Sequence, residues 1–341
     1  MKYSIIVVLL VGLSCQQEKT VLEPKTQVSN ADKVLHEMAT TYLFPLPENA
    51  MDEAHPYRAA LVNLGKELYY EKVISKDKSV SCNTCHPLES YGVNDTPLSK
   101  GVGGHLGDRN SPTTYNAALH LAQFWDGRAK DVEAQVEGPL LNPKEMAMSS
   151  KAEVVHRLQQ MPKYLALFAQ AYPHEKTIKY PQIAQAIGAF ERTLMTPSRL
   201  DEYLEGHLDV LSEKEKQGLK KMLDFGCIPC HSGAAMGGAL YQKFGLFDNY
   251  QRFTKSNKHD VGKLAITQEE SDRDVFKVPS LRNITKTAPY FHDGSVKKLE
   301  DAVRIMGNVQ LGRALTEQDV EDIIAFLAVS ADWTKKTDGT K

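Results

Sequence analysis

The sequence contains the pattern Cys-x-x-Cys-His twice, at residues 82–86 and 227–231. Two cysteines at this spacing can form thioether bonds to the vinyl groups of a haem, and the adjacent histidine can then bind the iron. Half of a zinc site and a thioredoxin-like redox pair are the alternatives, but neither copy has a second ligand pair nearby or a βαβ context. The pattern therefore predicts two covalently bound haem c groups, held by Cys82, Cys85, His86, Cys227, Cys230 and His231.

The fifth cysteine, Cys15, follows a stretch that is typical of an export signal. Lys2 precedes an apolar run over residues 5–13, which is too short to span a bilayer. Residues 12–15 resemble a bacterial lipoprotein processing site, and an ordinary secretory peptide is the alternative. We expect residues 1–15 to be a signal peptide with a lipid-carrying cysteine, residues 16–30 to be a tether, and the protein to be a periplasmic lipoprotein anchored to the membrane.

Length and charge narrow the class of protein further. The chain has 341 residues, which suggests two domains. Its formal net charge is -2, and this balance disfavours nucleic acid as a partner.

Apolar residues at helical spacing accompany each haem motif. A stripe over residues 61–68 precedes the first motif, and a capping box at Ser212 with a stop at Gly226 brackets a helix before the second. Similar patterns over residues 183–190 and 316–327 predict a closing helix in each half. This order is that of a small cytochrome c domain, and it occurs twice.

We therefore predict an all-α fold of two tandem cytochrome c-like domains with long haem-wrapping loops. The N-terminal haem c domain is expected over residues 31–205. The C-terminal haem c domain is expected over residues 206–335.

The two haems are expected to differ in their second axial ligand. A His–Met pair gives a high-potential electron carrier, whereas an open site allows chemistry at the iron. Met222 fits the core of its helix, and Met236 follows His231 too closely to reach over the haem. Met306 is expected in a loop just before the closing helix, where a cytochrome c has its distal ligand; a core position is the alternative.

The N-terminal half offers different candidates. Residues 138–146 include Glu145, and a carboxylate near a haem is costly to bury unless it has a role such as proton transfer. A solvated loop residue is the alternative. His105, in a glycine-rich run over residues 101–107, could bind the same iron as a removable ligand, although a lone histidine is more often structural.

These residues belong to a longer match. From about Leu61 to Ala331 the sequence resembles the bacterial di-haem cytochrome c peroxidases and the wider MauG-like group. The most similar stretches lie at residues 109–113, 123–129, 138–146, 278–283 and 289–294.

The resemblance implies that the N-terminal haem is the low-potential, peroxidatic one, with His86 as its proximal ligand. Glu145 matches the catalytic glutamate of the family, Gln135 its neighbouring distal glutamine, and Trp125 the tryptophan between the haems. Met306 matches the second ligand of the high-potential haem.

The resemblance also bears on a calcium site, on His105 and on the oligomeric state. Asn110, Thr287 and Pro289 match positions that hold a calcium ion between the domains, partly through backbone oxygens. The loop after His105 is shorter than in many relatives. If His105 does not reach the iron, the first haem would be open even when fully oxidised. Homodimers are common among the relatives.

The implied function is that of a cytochrome-c peroxidase. Hydrogen peroxide would be reduced to water with single electrons from a small cytochrome c or a cupredoxin. One alternative is MauG-like oxidation of a protein substrate, although those enzymes carry a tyrosine where Met306 stands. Another is a di-haem electron-transfer cytochrome, against which Glu145 and Gln135 argue.

Overall fold

The computed structural model describes residues 28–256 and 258–332. The predicted signal peptide, Cys15 and most of the tether lie outside the described residues. Within the described ranges, no helix is both long and apolar enough to cross a bilayer.

Helices and long loops make up the described chain, with one small sheet. Strands β1 (Tyr241–Lys243) and β2 (Val275–Lys277) pair antiparallel, with Tyr241 opposite Lys277. The helix content is consistent with the predicted all-α class. The α-helices of the described ranges are α1 (Asn30–Thr40), α2 (Ala59–Tyr69), α3 (Cys82–Cys85), α4 (Val132–Gln135), α5 (Glu137–Leu141), α6 (Lys151–Gln159), α7 (Pro162–Ala171), α8 (Tyr180–Glu191), α9 (Arg199–Leu204), α10 (Glu213–Asp224), α11 (Gln251–Thr254), α12 (Leu264–Thr267), α13 (Leu299–Leu311) and α14 (Glu317–Val329).

The core of the N-terminal half forms where α2 packs against α8. The predicted stripe over residues 61–68 lies on α2, with Leu64 and Leu68 fully buried. The two helices approach closely because Gly65 has no side chain: a Cβ there would lie 1.8 Å from the main-chain oxygen of Ala186. The predicted helices before and after the first haem motif are thus confirmed.

The C-terminal half repeats this arrangement with α10 and α14. The predicted capping box opens α10, where the Ser212 hydroxyl accepts a hydrogen bond from the Glu215 N–H. Thr316 caps α14 in the same way. A Cβ on Gly218 would lie 1.9 Å from the main-chain oxygen of Asp322, so a glycine again permits the crossing.

The hydrophobic clusters do not follow the predicted domain boundary at residue 205. Ala39 and Leu43, at the end of α1, pack into the same cluster as α10 and α14. Leu200 and Tyr203 of α9 join that cluster as well. The second haem motif therefore rests on segments from both ends of the chain, and the division into domains at residue 205 stays a prediction.

The expectation that Met306 lies in a loop is wrong, because the residue is in the middle of α13. Leu299, Ile305 and Val309 are buried at helical spacing and hold α13 against the core of the C-terminal half. The helix continues until Gly312, which takes a left-handed φ of 59°. Met306 itself is half-buried, on a helix that runs up to the turn before α14.

Candidate active site

The first haem motif forms a single helical turn whose main chain is held from two sides. The Ser81 N–H donates to the Thr84 hydroxyl at the start of α3, 2.9 Å away. The Tyr69 hydroxyl, fully buried at the end of α2, donates to the main-chain oxygen of His86, 2.8 Å away. The helix before the motif therefore fixes the position of the proposed iron ligand.

Burial favours the neutral form of both motif histidines. Burial lowers the pKa of His86, and it lowers the pKa of His231 to about 4. The Nδ1 of His231 lies 3.2 Å from the main-chain oxygen of Pro279, a contact that leaves Nε2 free. The Nδ1 of His86 is buried with no hydrogen-bond partner. A neutral imidazole with its Nε2 available is the form that binds iron.

The motif cysteines fit thioether attachment better than zinc. Cys82, Cys85, Cys227 and Cys230 are all free thiols. Across the described ranges, no three side chains of the His, Cys, Asp or Glu type are grouped so that they could share a metal ion. The zinc alternative therefore lacks a complete ligand set.

Glu145 lies on the loop that follows α5, close to the first haem motif. Its carboxyl is half-buried and accepts a hydrogen bond from the Asn142 amide, 2.7 Å away. Burial raises the pKa of Glu145, an effect that the Asn142 amide and the positive charge of Arg128 partly oppose. Burial also raises the pKa of the Cys85 thiol, and the charge of Glu145 adds to that rise. A carboxyl with a raised pKa beside the motif is suited to accept and return a proton.

The glycine-rich run that carries His105 packs against the main chain of Glu145. The Val102 N–H donates to the main-chain oxygen of Glu145 over 2.8 Å. A Cβ on Gly101 would lie 2.1 Å from the main-chain oxygen of Lys144. The side chain of His105 is exposed. The structure thus brings the loop close to Glu145 while the imidazole lies at the surface.

Trp125 connects the two halves. Its indole N–H donates to the main-chain oxygen of Asn110, 2.9 Å away. Its own main-chain oxygen accepts from the Lys277 N–H over 2.8 Å. The indole also meets His292 edge-on, with ring centroids 6.3 Å apart.

An ionic cluster beside Trp125 was not anticipated from the sequence. Asp126 is buried and accepts hydrogen bonds from Arg109 and Arg128. Arg109 also donates two hydrogen bonds to the carboxylate of Asp260. The only sequence signal was the Asp-Gly-Arg that follows Trp125, because Asp260 is distant in the chain. This cluster fixes the segment that carries the tryptophan.

Asn110 contacts the segment of the C-terminal half that carries the other two positions matched to calcium. The Asn110 N–H donates to the His292 oxygen over 2.8 Å, and its amide lies 3.2 Å from the Pro97 oxygen. Thr287 is half-buried and Pro289 is buried, both on the segment that leads to His292. Any cation here would depend on main-chain and amide oxygens.

The remaining candidate, Gln135, is the half-buried last residue of α4. Asn142 and Tyr69 are site residues that sequence reasoning missed. Asn142 could have been found from its position three residues before Glu145, whereas Tyr69 carried no signal beyond its place on a helix.

Comparison with known proteins settles the family. A family model described as di-haem cytochrome c peroxidase matches residues 59–209. The cytochrome c551 peroxidase of Pseudomonas aeruginosa is 42% identical over 305 residues, which cover 89% of this chain and 87% of that relative. The chain belongs to the di-haem cytochrome c peroxidase family.

This di-haem cytochrome c peroxidase is also similar to more distant proteins. The methylamine utilization protein MauG of Methylorubrum extorquens is 33% identical over 289 residues, covering 81% of this chain and 79% of that protein. The crystal structure of a MauG-like protein associated with microbial copper homeostasis superposes with a TM-score of 0.74 at 28% identity, covering 83% of this chain and 93% of that one.

Membership confirms the resemblance and the predicted enzyme class, cytochrome-c peroxidase. It also implies two haem cofactors. The neutral histidines and free cysteines of the two motifs fit such groups.

Proposed function

We propose that this protein reduces hydrogen peroxide to two waters at the N-terminal haem, using single electrons that enter at the C-terminal haem. The observation that carries the proposal is the half-buried carboxyl of Glu145, whose pKa is raised beside the first haem motif. The 42% identity to a cytochrome c551 peroxidase supports it.

Glu145 is the proposed proton carrier. Reduction of hydrogen peroxide consumes two protons and two electrons, so one oxygen must gain a proton before it leaves as water. A carboxyl whose pKa is raised by burial can take a proton from the nearer oxygen and return it to the departing one. The Asn142 amide orients the carboxyl, and Gln135 is the proposed second polar group on this side.

The two haems, when bound, supply the iron that binds peroxide and the centre that stores an electron. His86 is the proposed proximal ligand of the first haem, attached through Cys82 and Cys85. His231 and Met306 are the proposed ligands of the second haem. Cys227 and Cys230 attach it.

Trp125 is the proposed connection for electrons between the halves. Its indole is anchored to Asn110 in the N-terminal half and its main chain to Lys277 in the C-terminal half. The edge-on contact with His292 adds a second aromatic ring on the C-terminal side.

The proposal also covers location, partners and assembly. We propose a periplasmic protein anchored through Cys15, with a small cytochrome c or a cupredoxin as donor. We further propose that Asn110, Thr287 and Pro289 can hold calcium, that the two halves are cytochrome c-like domains, and that the protein can form a homodimer. His105 is the proposed removable ligand of the first haem; if its exposed side chain does not reach the iron, that haem is open at rest.

MauG-like oxidation of a protein substrate is the second candidate, and its support is the 33% identity to a MauG. The methionine at position 306 favours the peroxidase, because methionine ligation raises the potential of a haem that receives electrons. A pure electron-transfer cytochrome would have no use for a carboxyl like Glu145.

One experiment separates the three functions. The haem-loaded protein is reduced halfway, mixed with hydrogen peroxide, and given a reduced small cytochrome c as donor. Rapid oxidation of the donor supports the peroxidase. A slow donor reaction with a long-lived oxidised form of both haems would favour the MauG-like activity, and two unreactive six-coordinate haems would favour electron transfer alone.

A further inference from the structure

A buried lysine lies between the halves without a carboxylate partner. Lys277 ends β2 and is only 7% exposed. Burial lowers the pKa of Lys277 to about 8. No carboxylate of the described residues counteracts this effect. A buried ammonium without an anion is costly, so an acceptor from outside the chain is expected at this position.

Within the part of the chain that the structure describes, the side chain that meets the ammonium is an imidazole. The Nζ of Lys277 lies 3.1 Å from the Nδ1 of His120. Because an ammonium can only donate, Nδ1 accepts and the ring proton is on Nε2. That Nε2 is buried and has no hydrogen-bond partner. The pair therefore offers two kinds of donor, from Lys277 and from His120, and no acceptor.

The pair lies where the two halves meet. The Leu121 N–H, next to His120, donates to the Gly238 oxygen over 2.9 Å. A Cβ on Gly238 would lie 2.2 Å from Cδ2 of His120, so the imidazole fits only against a glycine. On the other side, the Lys277 N–H donates to the Trp125 oxygen.

The segment of Lys277 also reaches the second haem motif. Pro279 follows two residues later, and its main-chain oxygen faces the Nδ1 of His231 at 3.2 Å. Gly237 packs on the same carbonyl. A Cβ on Gly237 would lie 2.2 Å from the Pro279 oxygen, so a residue with a side chain would not fit. The Lys277 ammonium thus belongs to a segment that contacts His231, the residue proposed to hold the second iron.

We propose that Lys277 and His120 form a carboxylate subsite that takes a propionate of the haem attached at residues 227–231. The inference rests on the assignment of a haem to that motif. A propionate is the carboxylate that a haem carries into a protein, and it would accept from the Lys277 ammonium, which His120 holds in place through Nδ1. A fixed positive charge near a haem favours its reduced state, so this subsite would help the second haem to receive electrons.

The test measures the midpoint potentials of both haems by spectroelectrochemical titration of the haem-loaded protein. The variant K277M should lower the reduced-to-oxidised ratio of the second haem about tenfold at fixed applied potential, a shift of about 59 mV. K277R should keep the wild-type value. The matched control is K263M, since Lys263 is a partly buried lysine whose ammonium is already 2.9 Å from Asp272.

An unchanged potential of the second haem in K277M would overturn the proposal. H120F provides a second variant, should K277M lose haem: it removes the Nδ1 acceptor that holds the Lys277 ammonium in place and must lower the same potential. Exchange of chloride for phosphate at constant ionic strength separates a propionate from a free anion, and a Lys277-dependent shift on this exchange would contradict the assignment. Because turnover is not measured, the outcome is independent of the peroxidase proposal.

Discussion

The indole N–H of Trp125 donates to the main-chain oxygen of Asn110, 2.9 Å away, and so ties the tryptophan to one of the positions matched to calcium. The same Asn110 donates its own N–H to the oxygen of His292 in the C-terminal half. Because both contacts use the main chain of Asn110, a shift of that main chain would also move Trp125.

We expect W125F to slow electron transfer between the haems several-fold while both haem spectra stay normal. Phenylalanine keeps an aromatic ring but loses the hydrogen bond to Asn110. Stopped-flow mixing of the half-reduced protein with peroxide measures the rate, and W333F, at the only other tryptophan of the chain, is the control. An unchanged rate in W125F would remove Trp125 from the electron path.

Arg282 is a buried residue on which stability should depend. The residue is only 1% exposed. Its guanidinium donates two hydrogen bonds of 2.8 Å to the carboxylate of Asp201. R282M leaves that carboxylate buried without its charge partner, which should lower the free energy of unfolding by about 3–5 kcal/mol. Denaturant titration of the haem-loaded protein measures it.

The control for Arg282 is R304M. Arg304 forms a more exposed pair with Glu317. Its loss should cost much less than that of the buried pair, because solvent screens an exposed ion pair. Equal losses in R282M and R304M would show that the burial of the Asp201 pair has no special effect.

Much of the fold was predictable because its signals are local. The capping boxes at Ser212 and Thr316 and the stripe over residues 61–68 each specify a helix from within one short segment. The position of Met306 was mispredicted because a loop was expected before α14, whereas α13 runs from Leu299 to Leu311. The helical spacing of Leu299, Ile305 and Val309 is the local signal that indicates a helix here.

The site was less predictable because its contacts join distant segments. The two motifs and Glu145 could be named from the sequence and from the resemblance. The pairing of Lys277 with His120, and that of Arg282 with Asp201, could not, since each depends on how the halves pack. No periodicity or spacing reports contacts between residues that lie far apart in the chain.

Met306 should be tested as an iron ligand by the substitution M306H. Replacing a His–Met pair by two histidines should lower the potential of the second haem, because methionine ligation raises it. The control is M236L, which changes a fully buried methionine of the C-terminal core. An unchanged potential in M306H would show that another residue holds the second position on the iron.

The buried carboxyl of Glu191 should make the stability of the protein depend on pH. Burial raises its pKa to about 8. Since the unfolded carboxyl loses its proton near its ordinary pKa of 4.5 while the folded one keeps it, stability should fall as pH rises from about 4.5 to 8. E191Q should abolish this slope and stabilise the protein at pH 8 by on the order of 4 kcal/mol.

Thermal unfolding across this pH window measures the effect of Glu191. E137Q is the control, because Glu137 is an exposed partner of Lys151. A slope that persists in E191Q would assign the pH dependence to other groups.

The central claim is that Glu145 carries the proton in peroxide reduction. Its most direct test is the steady-state turnover of E145Q with hydrogen peroxide and a reduced small cytochrome c. The control is E89Q, an exposed carboxylate on the loop just after the first motif. We predict that E145Q loses about 10²–10⁴-fold in turnover with both haem spectra intact, while E89Q retains it. Near-normal turnover in E145Q would contradict the account.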